Sequence, residues 1–216
     1  MRLLILLNAR FPTEKAYGLQ VLAMARGAAE AGMEVTVAYP RRSDEAPPPI
    51  EGVRFRSFGP RFVFSMRWLF PIIRWTGLIG LRSLTDEIRP DAVLINDPLQ
   101  AAFFPKPWRV IWDVHEVPNP NRADRRRLIR RIIHRATALM STNQIKLDRL
   151  AQIVEHLPPT LVLPNPVTFD PTVYRSISRD DARRRCCIDT EERAIVYAGQ
   201  LYDWKGVESR VGSAAF

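Results

Sequence analysis

Three places in this 216-residue chain hold residues whose types and spacing could do chemistry. His115 stands just past an apolar run, in Trp112–Pro118 (WDVHEVP), where the carboxyl ends of parallel strands line a ligand crevice. An imidazole there donates to a substrate hydroxyl or shuttles a proton near neutral pH; the plain alternative is a solvated loop histidine. Gly18 closes the loop after the first apolar run and precedes a helical pattern. Free N–H groups and the positive end of the helix dipole there suit a phosphate or another anion, with ordinary turn chemistry as the alternative. Residues 199–206 (GQLYDWKG) repeat the form of buried run, glycine and short loop. Lys205 would be a mobile cation near the crevice, suited to neutralising a diphosphate that gains charge as its bond breaks. His134 and His156 read as structural.

Other chemistries lack their residues. Asp-x-Asp, G-x-S-x-G, a Walker sequence and G-x-G-x-x-G are all missing, and His115–Glu116 has no second histidine at zincin spacing. No metal site is expected. Cys186 and Cys187 are adjacent, a spacing that rarely reaches disulfide geometry, so a reducing cytoplasm is the default compartment. The run Leu3–Leu7 is too short for a signal-peptide core. Phe62–Leu81 has the length of a membrane span but carries Arg67, Pro71 and Arg74. A surface or core helix is expected there, with an interfacial membrane contact through Trp68, Phe70 and Trp75 as the second reading.

Charge gives a fourth feature. The chain has 32 Lys+Arg against 23 Asp+Glu, a net +9 carried almost wholly by arginine. Seven arginines fall in residues 122–135, where helical spacing sets Arg127, Arg131 and Arg135 on one face and Arg126 and Arg130 on the next. Leu128, Ile129, Ile132 and Ile133 then pack inward. The readings are a solvated basic face, then anionic lipid headgroups met by Arg126, Arg127, Arg130 and Arg131. Nucleic acid comes last, because no aromatic residues for base stacking interleave with the arginines.

These residues need a frame that brings loop ends together, and the hydrophobic pattern supplies one. Leu3–Leu7 reads as a strand buried on both faces, Leu19–Ala31 as a helix stopped by Gly32, and Val35–Tyr39 as the next strand. The alternation continues through strands at Val53–Phe58, Asp91–Asn96, Arg109–Val114, Ala138–Asn143 and Leu161–Leu163. Helices are expected over Phe62–Leu81 running on toward Ile88, over the arginine segment, and over Ile145–His156. This is the pattern of an α/β doubly wound, Rossmann-like parallel sheet. Residues 1–165 form its domain, 166–192 read as a linker with one helix, and Ala194–Ala198 opens a further strand in 193–216.

In order along the chain, the motifs resemble glycosyltransferase family 4, of the GT-B architecture. They are strand 1 with its Phe11-Pro12…Gly18 loop, the helix ending in AEAGMEVTVAYP, RPDAVLINDP, DVHEVP, LVLPNPV and IVYAGQLYDWKGVE. The resemblance implies an N-terminal acceptor domain and a C-terminal nucleotide-sugar domain of which only the start is here. It also implies metal-independent transfer with retention of anomeric configuration, and no cofactor beyond the nucleotide-sugar substrate. By position, His115 would contact the transferred sugar. The Gly18 turn would face the donor phosphates, and Gly199, Gln200 and Lys205 would hold the diphosphate. Expected partners are a nucleotide-sugar donor, a glycan or lipid-linked acceptor and an anionic membrane surface on the inner face, with no nucleic acid. Tyr17-Gly18 stands where the family often has Gly-Gly, Gln200 where an arginine usually partners the lysine, and Pro166 where a glycine usually follows Asn165. The family's Glu-x7-Glu segment is not found after Lys205, so this chain alone is expected to have little or no transferase activity. The competing expectation is a non-catalytic module that binds an anionic lipid or glycan.

Overall fold

In β1 (Arg2–Leu6) alternate side chains leave the strand on opposite sides. Leu3, Ile5 and Leu7 enter one buried cluster while Leu4 and Leu6 enter another. A strand apolar on both sides can only sit inside a sheet covered on both faces, and β1 does. The computed structural model describes residues 1–7, 11–12, 16–40, 46–58, 80–104, 107–164, 172, 176–189 and 191–193. Within them β1 is flanked by β2 (Glu34–Pro40) and β4 (Ala92–Ile95), with β3 (Val53–Phe58) outside β2. On the other side follow β5 (Val110–Val114), β6 (Ala138–Ser141) and β7 (Thr160–Val162). All pairings are parallel, and the order is β3-β2-β1-β4-β5-β6-β7. The α/β, doubly wound, Rossmann-like sheet expected from the sequence is therefore present.

One face is covered by α1 (Ala16–Glu30), which lays Val21 and Ala25 on Leu3, Ile5, Val35 and Val37. Phe11 is wholly buried on that side, with its ring 5.2 Å from Tyr39 and 6.0 Å from Phe55. The opposite face takes the helical residues 80–88 (α2), α3 (Pro98–Phe103), α4 (Ala123–Arg135) and α5 (Gln144–Ala151). They contribute Leu81, Leu84, Ala101, Ile129, Ile132, Leu147 and Leu150 to one continuous core around Trp112. Each such large aliphatic side chain, fully buried, stabilises the fold by about 1.5–3 kcal/mol relative to exposure.

Three elements differ from expectation. Helix α1 begins at Ala16 rather than Leu19, so Gly18 lies inside its first turn. Gly32 does follow the helix, at φ 80, the left-handed geometry glycine tolerates. Helix α5 stops at Ala151, short of His156. Ile153 N–H donates to the Leu150 carbonyl at 2.9 Å, tightening the last turn. Pro158 and Pro159 then impose extended backbone on what precedes them. Helix α3 was not expected at all; Asp97 accepts from the Gln100 N–H at 2.8 Å and Pro98 fills the first turn, where its missing N–H does no harm.

The chain divides into two compact units, Met1–Thr168 and Phe169–Phe216. In the second, α6 (Arg179–Arg185) is capped by Ser178, which accepts from Asp181 N–H at 3.1 Å, and ends on Cys187 at φ 55. Cys186 and Cys187 are free and exposed. The expected strand Ala194–Ala198 and residues 62–79 of the expected helix lie outside the described residues. Among the described residues no helix is long and apolar enough to cross a membrane.

Candidate functional site

From β1 the chain winds outward through β2 and β3, and from β4 it winds the other way through β5 to β7. Loops leaving neighbouring strands at such a reversal part company, and a crevice opens at the carboxyl ends. Here it measures about 650 Å³. Tyr17 enters from α1, Asn96, Asp97 and Pro98 from the end of β4, and His115 and Glu116 from the end of β5. Asn119, Arg122 and Arg125 close it from the segment leading into α4.

His115 is the residue that sequence and structure share most directly. Its ring is 30% exposed, and its Nε2 lies 2.7 Å from Oδ2 of Asp113, whose side chain is 4% exposed. Asp113 has a second buried oxygen, Oδ1, with no hydrogen-bond partner among the described residues. Asp97 is committed to capping α3. Arg122 donates from Nε and Nη2 to the two oxygens of Asp124 at 3.1 and 3.2 Å, and this pairing holds the Asp124 carboxyl below the usual carboxylate range. Arg125 lies 3.6 Å from the same carboxylate.

The predicted site residues separate. Gly18 is buried in the first turn of α1, and it is its neighbour Tyr17 that lines the cavity. Gly199, Gln200, Lys205, Trp68 and Trp75 lie outside the described residues. Arg126 donates to the Pro120 carbonyl at 3.0 Å, while Arg127 and Arg130 are exposed on α4. Arg131 donates to the Ala102 carbonyl at 3.1 Å, and Arg135 to Phe104 and Trp108 at 3.3 and 3.1 Å. Both therefore fasten the segment that ends α3. Desolvation of the half-buried Arg135 lowers its pKa from the ordinary arginine value.

The sequence reading gave Asp113 no role. No strand period announces the pair, because β5 ends at Val114 and His115 follows in a tight turn whose N–H donates to the Asp113 carbonyl at 3.1 Å. Tyr17, Asn96 and Asn119 carried no signal either, since only the loop courses bring them together. Among the described residues no group of three or more His, Cys, Asp or Glu could hold a metal ion.

Comparison with known proteins adds to this geometry. The model of Glycosyltransferase Family 4 matches residues 18–170. The chain belongs to that family. Its fold is shared with sucrose-phosphate synthase from Thermosynechococcus elongatus, at TM-score 0.75 and 13% identity over 99% of this chain and 59% of that one. It is shared also with WaaG, a glycosyltransferase involved in lipopolysaccharide biosynthesis, at TM-score 0.57 and 13% identity over 88% and 52%. A third structure, trehalose-6-phosphate from E. coli bound with UDP-2-fluoro glucose, gives TM-score 0.51 and 12% identity over 81% and 53%. These likenesses establish the fold, that of the N-terminal domain of GT-B glycosyltransferases. The family 4 chain spans between half and three fifths of their lengths. No curated protein matches its sequence.

Proposed function

We propose that this family 4 chain serves the transfer of a sugar from a nucleotide-sugar donor to a hydroxyl of a glycan or lipid-linked acceptor, metal-independent and with retention of configuration. The observation that carries the reading is the cleft at the strand reversal, with His115 on its wall and anchored by a buried carboxylate. Tyr17, Asn96 and Asn119 offer the hydroxyl and amide groups that recognise a polyol, and Arg122 and Arg125 suit an acceptor with an anionic group such as a phosphate. UDP-2-fluoro glucose in the E. coli structure supports a nucleotide-sugar donor. In this reading His115 contacts the transferred sugar, Gly18 in the first turn of α1 faces the donor phosphates, and Gly199, Gln200 and Lys205 hold the diphosphate. Arg127 and Arg130 with Trp68 and Trp75 would hold the protein peripherally at the anionic inner face of a membrane, while Arg126 and Arg131 donate to the Pro120 and Ala102 carbonyls.

Titration with UDP-glucose and GDP-mannose tests the donor side. Saturable binding to one of them, lost in Lys205→Ala, is expected; tight binding that survives the substitution overturns the diphosphate assignment. On the sugar side, His115→Ala is expected to lower calorimetric affinity for methyl glucoside roughly tenfold through the lost contact with the sugar.

A further inference from the structure

Asp113 is an expensive residue to keep. A carboxylate almost wholly removed from water, with one oxygen bonded only to His115 and the other without a partner among the described residues, destabilises a fold unless something repays the desolvation. The strand itself does not need the charge: β5 is held by its backbone ladder to β4 and β6 and by Trp112 and Val114, which are wholly buried. What the carboxylate does reach is the imidazole. β5 ends at Val114, and the His115 N–H donates to the Asp113 carbonyl at 3.1 Å, a tight turn that brings the two side chains together past the carboxyl end of the strand. The contact at 2.7 Å is at the short end for an N–H donor on a charged acceptor.

An ionised carboxylate can only accept hydrogen bonds. The proton shared between the two side chains therefore belongs to Nε2 of His115, and in the neutral ring Nδ1 is left with its lone pair. The same bond stops the ring from turning over and exchanging its two nitrogens. We propose that Asp113 is a positioning residue, which fixes His115 as the Nε2–H tautomer and presents Nδ1 to the cleft as an acceptor for a substrate hydroxyl. This rests on the reading of the cleft as a site for a hydroxyl-bearing sugar and says what His115 does there: it takes a hydrogen bond from the hydroxyl. Tyr17, Asn96 and Asn119 share the lining, so the hydroxyl that meets Nδ1 has further polar partners within the same cavity.

Nitrogen-15 NMR of the histidine rings in the full 216-residue chain at pH 8 reads the tautomer directly. Expected for His115 is a protonated Nε2, a bare Nδ1, and an Nε2 proton shifted downfield and slow to exchange with water. In Asp113→Asn the side-chain amide can donate to the ring, so the slow proton is lost and the tautomer population moves toward Nδ1–H. The substitution removes a buried charge, so the melting temperature is expected to stay or rise while affinity for methyl glucoside falls roughly tenfold; a merely structural Asp113 would lower both together. A wild-type ring protonated on Nδ1, a rapidly exchanging Nε2 proton, or a spectrum unchanged in Asp113→Asn overturns the proposal. The wild-type spectrum decides even where the variant fails to fold. Methyl glucoside separates the two levels of the argument. A moved Nδ1 resonance is expected on its addition; with the tautomer in place, an unmoved one overturns hydroxyl acceptance and the sugar-site reading, while the Asp113–His115 anchor stands.

Discussion

Helix α4 has arginines at both ends, and the two ends do different work. At the carboxyl end, Arg131 and Arg135 reach across to the carbonyls of Ala102, Phe104 and Trp108, closing off the segment that ends α3. At the amino end, Arg122 and Arg125 line the cleft and gather around Asp124. Read as composition, all seven arginines of residues 122–135 count equally toward the net +9. Read as structure, the two at the carboxyl end fasten a neighbouring segment through its carbonyls, and Arg126 holds the Pro120 carbonyl. The lesson is that a basic stretch is not one surface: an arginine whose guanidinium is committed to carbonyl oxygens has few donors left for a ligand.

Removing the anchors should have the largest effect on stability. Arg131→Ala with Arg135→Ala deletes the charged-donor hydrogen bonds to Ala102, Phe104 and Trp108, and because these groups are only partly buried the loss should be about 3 kcal/mol in a urea melt. A loss below about 1 kcal/mol would erase the distinction between the two ends. Arg122→Ala with Arg125→Ala should reverse the profile. Stability should change by no more than about 0.5 kcal/mol, as for exposed ion pairs, while calorimetric affinity for a sugar phosphate falls roughly tenfold and that for methyl glucoside holds. Equal losses for both ligands would show that the cleft arginines do not read charge.

The smallest effect concerns Asp124. Arg122 keeps its carboxyl below the usual carboxylate range, so the folded state favours the charged form. That contribution is in place above the ordinary carboxylate midpoint and fades as pH falls through the lowered one. Arg122→Ala should therefore raise the Asp124 midpoint toward the ordinary value, read from its carboxyl carbon by NMR; an unmoved midpoint would mean that the pairing is incidental.

Much of the frame was legible because it is periodic. The apolar run after Arg2 announces a strand buried on both faces, and Gly32 marks the end of a helix at the position where φ turns positive. Helix α3 escaped because its six residues carry no full apolar period; its signals were the Asp97 cap and Pro98 alone. For the site, His115 was legible from its place after a strand, and the anchoring by Asp113 was not, because it depends on the tight turn that follows β5. Tyr17, Asn96 and Asn119 were beyond reach, since their meeting depends on how the sheet reverses. The division of the arginines was equally hidden: helical spacing sorted Arg131 and Arg135 onto one face correctly, and nothing in it says that the face meets carbonyls.

The pairing of β1 with β4 has a consequence in time as well as space. Leu3 is in register with Ala92, and Arg2 N–H donates to Asp91 at 2.6 Å across 89 positions of chain. Closing a loop of that size forfeits about 4 kcal/mol of chain entropy before its first contacts are rewarded. Strands β1 and β2 can meet early, through a short connection, whereas the crevice that holds His115 exists only after the long closure is made. During synthesis, the cleft must therefore be among the last features of this unit to appear, and a nascent chain that ends before β4 has three of the seven strands and, of the lining, only Tyr17.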